Sequence, residues 1–281
     1  MKNTIFILAI LSLIFTSPFA FADLENVNAT ATSTTEQILQ MAGQSTCAKY
    51  AWKNRGRAPA GYIKGVALSF ARSMCRIKIN NTNAPAAKIL NAADTNDSKK
   101  DALTYYKNVF SRLGILTSAP GVEAVQAIYS LGMGLGMRES SGKYCEGWDK
   151  SAGSNRPSSA AESGTFQVSY DSMAASSELK KLYQEYQATP ERCLLSTFQE
   201  GVKCKSQDVL GDGEGAKFQV FNKACPAFTA EYAMTLLRLR RSHFGPINRK
   251  EAEVNPNCES LLKNISDYIE VNPQANCEEL Y

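Results

Sequence analysis

The chain has 281 residues, and its 31 Lys and Arg against 27 Asp and Glu leave a formal net charge of only +4. That balance, with no basic stripe interleaved with aromatic residues, argues against a nucleic-acid partner. One histidine, His243, leaves little material for a His-based triad or a multi-histidine metal site.

The first charge, Lys2, precedes an apolar run from Ile5 to Phe15, and Ala20-Phe21-Ala22 forms an A-x-A cleavage site before Asp23. The run is short for a membrane span. Residues 1–22 are therefore expected to be a signal peptide, and the mature protein a secreted or periplasmic monomer with no membrane attachment. All eight cysteines follow that site: Cys47, Cys75, Cys145, Cys193, Cys204, Cys225, Cys258 and Cys277. An even number in an exported chain predicts four disulfides, although eight cysteines allow 105 pairings. By spacing, Cys193 with Cys204 would close a short loop, and Cys258 with Cys277 would tie down the C-terminus. Cysteines so widely spread staple a scaffold; they do not form a metal cluster.

Residues 23–35 are rich in Asn, Ala and Thr and read as a flexible lead-in. Helical spacing of apolar residues then predicts helices over Glu36 to Ala42, Gly61 to Ile77 and Asp101 to Leu113. Pro120-Gly121 breaks the chain before Gly121 to Met137, which is apolar on nearly every side and so belongs inside the protein. Ser172 to Ala188 is helical, and Pro190 ends it. Gly211-Asp212-Gly213-Glu214-Gly215 reads as an exposed turn that lacks the alternate carboxylates of a calcium loop. A helix from Pro226 to Arg241 follows, its Arg238, Arg240 and Arg241 read as a solvated end. A last helix spans Glu259 to Ile269. The fold class is mainly α, disulfide-stapled, with a small irregular or β lobe between Cys145 and Val168. Residues 36–281 read as one domain with an N-terminal helical extension and C-terminal helices.

The chemistry concentrates between Gly121 and Asp171. A buried helix delivers Glu139 to a polar, Gly-punctuated loop, Ser140-Ser141-Gly142. Burial against apolar walls raises the pKa of a carboxyl group, as a general acid near neutral pH requires. The plainer reading is a helix-end glutamate paired with Arg138 or Lys143. Three motifs follow in order: Arg138-Glu139-Ser140-Ser141-Gly142, Gly147-Trp148-Asp149 and Gly164-Thr165-Phe166-Gln167-Val168. Together they resemble the active-site core of goose-type lysozymes and soluble lytic transglycosylases. The match covers about fifty residues. Thr165-Phe166 stands where those families use Leu-Met, and Gly164 lies 25 positions after Glu139, a longer connection than most transglycosylases use.

The resemblance implies a lysozyme-like fold and an enzyme that cuts the glycan strands of peptidoglycan, with Glu139 as the acid and without metal or organic cofactor. Glycosidases with a second carboxylate hold it about 5–5.5 Å or about 6.5–9.5 Å from the first. Asp149 matches a cleft aspartate of goose-type enzymes, and Asp171 is the reserve, because Ser169 fills the slot after Gln167-Val168 where that family has another aspartate. Lytic transglycosylases use the glutamate alone and leave anhydro ends. Ser140 and Gln167 would bond the sugar or orient Glu139. Trp148, Phe166 and Tyr170 would stack on it, and Tyr232 is similar to a cleft tyrosine carried by transglycosylases on a later helix. Glu146 and Glu162 read as solvated loop residues, or else as an acidic wall favouring a cationic, deacetylated amino sugar. The export signal, the cysteine-rich helical chain and the atypical turn of this sequence also resemble lysozymes specific for deacetylated peptidoglycan, known from predatory bacteria. A protein of another class, a non-catalytic wall binder or inhibitor on the same scaffold, fits the missing carboxylate at Ser169.

Overall fold

Eight helices of eight residues or more form the body of the protein in the computed structural model, which describes residues 32–80, 84–204 and 207–280. They are α1 (Thr34–Gln44), α2 (Ala60–Asn80), α3 (Val122–Ser140), α4 (Ser177–Ala188), α5 (Gly213–Ala224), α6 (Pro226–Leu239), α7 (Pro256–Val271) and α8 (Pro273–Leu280). A two-stranded antiparallel hairpin, β1 (Ala51–Trp52) and β2 (Gly56–Arg57), is the only sheet among the described residues. The architecture is mainly α, and one hydrophobic core runs through all the long helices.

The two most apolar segments occupy the centre. In α3 every residue from Ala124 to Met137 is buried, and in α6 every residue from Pro226 to Arg238. The two pack together, and α2 and α7 close around α3. Small residues allow that approach. At Gly136 a side chain would collide with Tyr62, whose hydroxyl donates to the carbonyls of Gly132 (3.0 Å) and Met133 (2.8 Å). The helix therefore sits in a dry, tightly packed sleeve, and only its last turn emerges.

The four disulfides are Cys47–Cys258, Cys75–Cys277, Cys145–Cys204 and Cys193–Cys225. Neither pairing expected from spacing forms. Cys258 and Cys277 lie on α7 and α8, which pack on the N-terminal helices, so each bonds a cysteine more than 200 residues away rather than its neighbour. The staples thus join the two ends of the chain, and Cys145–Cys204 anchors the loop that leaves α3. Four disulfides belong to an extracytoplasmic environment. Among the described residues no helix is long and apolar enough to cross a membrane.

Several boundaries differ from expectation for local reasons. The expected signal peptide, residues 1–22, and residues 23–31 lie outside the described residues. The lead-in ends early, because Thr34 is already buried in α1, where Ser33 and Glu36 form a reciprocal capping box. Residues 101–113 form two short helices that break at Tyr106. The 172–188 helix begins at Ser177, after Ser176 caps it and a 3₁₀ segment spans Tyr170–Ala175. The turn at 211–215 is shorter than predicted, because α5 starts inside it at Gly213. An additional helix, α8, follows the last one expected. Arg238 is not solvated. It is 5% exposed, paired with Asp101 at 3.2 Å and donating to the carbonyls of Ala92 and Ala93 at 2.8 Å. Arg241 also turns inward, lying 3.9 Å from the centre of the Tyr105 ring. The lobe between Cys145 and Val168 is irregular, built from 3₁₀ turns and one antiparallel bridge, Ser163 to Val168.

Candidate active site

Glu139 is the penultimate residue of α3, and the helix stops one residue later for a backbone reason. Ser141 turns left-handed (φ 56°), its N–H reaching the Met137 carbonyl at 3.1 Å, and the chain swings away. That break leaves Glu139 half-buried at the floor of a cleft of about 450 Å³, beside Trp148, Asp149, Glu162 and Gln167. Neither partner of the plainer reading engages it: Arg138 pairs with Glu251 (3.4 Å) and Lys143 with Glu146 (3.9 Å). Burial pushes the Glu139 carboxyl up from 4.5 to about 8. Glu162 adds to that rise and Asp149 adds less, while Arg249 and Arg55 pull the other way. The group consequently holds a proton at neutral pH.

Hydrogen bonds between motifs fix the cleft's walls. Ser140 Oγ donates to the carbonyls of Gly136 (3.1 Å) and Thr165 (2.8 Å), locking the helix end to the 164–168 turn. Gln167 adopts a left-handed backbone (φ 48°), and its Nε2 donates to the carbonyls of Gly147 (3.2 Å) and Gly164 (3.0 Å). Gly164 N–H in turn reaches the Glu146 carbonyl at 2.9 Å. The three sequence motifs are therefore one bonded unit. Ser140 and Gln167 act chiefly as its bolts; of the two, only Gln167 also lines the cleft.

The other predicted residues divide. Trp148 and Asp149 join Glu139 in the cleft. Asp149 is exposed, and its Oδ1 caps the 3₁₀ turn Lys150–Ala152 by accepting from Ser151 N (2.9 Å) and Oγ (2.6 Å). Asp171 and Tyr170 line a different cavity, of about 560 Å³, with Lys180, Tyr183 and Glu214. Phe166 is fully buried, its ring 6.4 Å from that of Tyr62, and presents no face to a ligand. Tyr232 is equally buried, its hydroxyl 2.7 Å from Ser172 Oγ. Both aromatic side chains belong to the core.

Glu162, read from the sequence as a solvated loop residue or else as part of an acidic wall, stands in the cleft. It is half-buried in the wall of the Glu139 cleft, where burial raises its carboxyl and Arg156 offsets part of the rise. Its position two residues before Gly164 was the available signal, since the turn it leads into is itself a cleft wall. Arg55, on the β1–β2 hairpin, and Arg249 reach the site from segments more than eighty residues from Glu139, and no local motif marks them. Among the described residues no group of three or more His, Cys, Asp or Glu side chains is placed to hold a metal ion.

Comparisons with family models, with curated proteins and with solved structures each return no match.

Proposed function

We propose that the protein is an exported glycosidase that cuts the glycan backbone of bacterial peptidoglycan, working in the periplasm or outside the cell with Glu139 as general acid. One observation carries the reading. A carboxyl group with no hydrogen-bond or ion-pair partner among the described residues stands protonated near neutral pH at the floor of an open cleft. Cleaving a glycosidic bond needs a proton on the leaving oxygen as the bond to C1 lengthens, and negative charge near the oxocarbenium-like carbon. Glu139 supplies the first, and the neighbouring carboxylates supply the second. Trp148 offers a ring at the cleft wall for a sugar face.

The charge balance of the cleft narrows the substrate. Its two lysines are both engaged, Lys143 with Glu146 and Lys150 with Asp208. Asp149 and Glu162 have no ion-pair partner among the described residues, which leaves the wall net acidic. A deacetylated amino sugar, carrying an ammonium where the N-acetyl group was, complements that wall better than an acetylated one.

The test is mass spectrometry of fragments released from native and enzymatically deacetylated sacculi by wild type and by Glu139→Gln. Release by wild type alone, larger from the deacetylated wall, is expected. No release from either wall, with the protein still pelleting with it, would make this a wall-binding protein instead. A lytic transglycosylase is the second reading. It is favoured by the place of the two aspartates the motifs offer, since Asp171 lies off the cleft and Asp149 is committed to a cap. Fragments ending in anhydro sugars would establish it.

A further inference from the structure

We propose that Glu162 is the second catalytic carboxylate of this cleft, the base that takes a proton from the attacking water. The inference rests on the glycosidase reading above and assigns the role that the sequence motifs give to Asp149 or Asp171.

Geometry sets Glu162 apart from those two. Asp171 is in another cavity, and Asp149 is solvent-exposed with an oxygen spent on Ser151. Glu162 is half-buried, shares the cleft with Glu139, and makes no hydrogen bond or ion pair among the described residues. A half-buried carboxylate left without a partner is costly unless something else occupies its lone pairs during function. Of the charges acting on Glu139, that of Glu162 is the largest and that of Asp149 the smallest. Glu162 is therefore the acidic group most closely coupled to the proton donor.

The backbone beneath it is also held firmly, as a base that must meet one water requires. Ser163 and Val168 exchange two backbone bonds of 3.2 Å. Asn222 Nδ2 clamps the same pair through Ser163 Oγ and the Val168 carbonyl, both at 3.1 Å. Gly164, at φ 78°, sits so close to Asn222 that a side chain there would press on it. Through Thr165 and Ser140 this clamp is bonded to the last turn of α3. Glu139 and Glu162 are thus held in a fixed relation by hydrogen bonds, although Glu162 lies 23 positions after Glu139.

The step balances without a further reactant. Glu139 gives its proton to the glycosidic oxygen as the C1–O bond breaks. Water forms the new C1–O bond, and its proton passes to the Glu162 carboxylate. Exchange with solvent then returns the proton to Glu139 and leaves Glu162 ionised. Two coupled carboxyls sharing one proton suit this division, because the charge on Glu162 helps to keep Glu139 protonated.

The test compares wild type, Glu162→Gln, Glu162→Ala and Asp171→Asn on soluble glycan fragments, each variant first checked for native melting. Glu162→Gln should lose about 10²–10⁴-fold in kcat with KM changed less than about threefold. Its alkaline limb should move to lower pH, since Glu139 then faces Asp149, Arg249 and Arg55 without Glu162. Glu162→Ala should regain turnover with sodium azide and release a glycosyl azide of the matching mass, an outcome that a purely structural role does not produce. Asp171→Asn, in the other cavity, should keep kcat within about fivefold. The proposal is overturned if folded Glu162→Gln keeps the wild-type kcat, or if its loss comes with an unmoved pH profile and no azide product from Glu162→Ala. Should either variant fail to fold, Glu162→Asp replaces it. That variant keeps the charge and withdraws it by one methylene, and wild-type kcat there would also overturn the assignment. If wild type itself releases nothing, the glycosidase reading fails instead.

Discussion

Glu231 and Glu139 are both withdrawn from water, the first fully and the second in part, and their surroundings are opposite. Glu231, in the middle of α6, is 2% exposed, and burial raises its carboxyl just as it raises that of Glu139. The difference lies in the company. Glu231 meets Arg76 at 3.1 Å and accepts from the Tyr186 hydroxyl at 2.9 Å, while Arg76 and Arg192 both hold Glu185 nearby. Glu139 has like charges beside it, and its arginines act only at longer range. Burial with pairing produces a structural ion. Burial without pairing, opening on a cleft, produces a group whose proton is available. Burial alone would have selected the wrong residue of the two.

Removing each carboxylate should separate the two uses. Glu139→Gln should lower turnover on sacculi by about 10³-fold, about 4 kcal/mol of barrier, while the protein stays folded. Glu231→Ala should do the reverse. It leaves Arg76 facing an apolar interior with one partner fewer, at a cost of about 3–5 kcal/mol in a urea titration, and the molecules that remain folded should turn over normally. Equal activity loss in both variants at matched folded fractions would end the distinction. A similar but smaller loss of stability, about 2–4 kcal/mol, is expected on replacing Cys75 and Cys277 by Ser, because that bond ties α8 to α2 and neither cysteine lines the cleft.

The same contrast explains what the sequence made legible. The all-round apolar α3, its stop at Ser140-Ser141-Gly142 and the Gly164 turn are local patterns, and Glu139, Trp148 and Gln167, which they marked, line one cleft. Pairing is not local. Nothing near residue 76 announces that its guanidinium meets residue 231, just as spacing did not reveal that Cys47 reaches Cys258. For that reason Glu162 stayed between two readings, a solvated loop residue and a cleft wall, until the structure placed it in the wall. A glutamate in a Ser- and Ala-rich loop resembles a solvated one until the loop folds back over the end of α3. Phe166 and Tyr232 failed in the other direction, since an aromatic residue near a motif is as readily a core residue as a sugar platform.

The smallest expected effect tests the comparison through stability alone. Glu139 binds its proton more tightly in the fold than in the unfolded chain, about 8 against 4.5. The folded state is then favoured by that proton below about pH 4.5, and the advantage disappears as pH rises through about 8. Replacing the carboxyl by the uncharged amide removes this pH-dependent term. Glu139→Gln should accordingly melt close to wild type in acid but higher than wild type at pH 8 to 9. Solvent screening of a half-exposed group reduces the gain to about 1 kcal/mol, or about 2–4 °C in Tm. The variant that destroys activity should therefore be the more stable protein in mild alkali, as expected when a site holds an unpaired carboxyl for chemistry at the expense of the fold. Glu231 is raised as well, but its conversion to Gln also strips the charge from the Arg76 pair, and that loss should cancel the gain. A Glu231→Gln variant more stable than wild type at pH 8 would mean that pairing does not compensate its burial, and the distinction between the two glutamates would lose its physical basis.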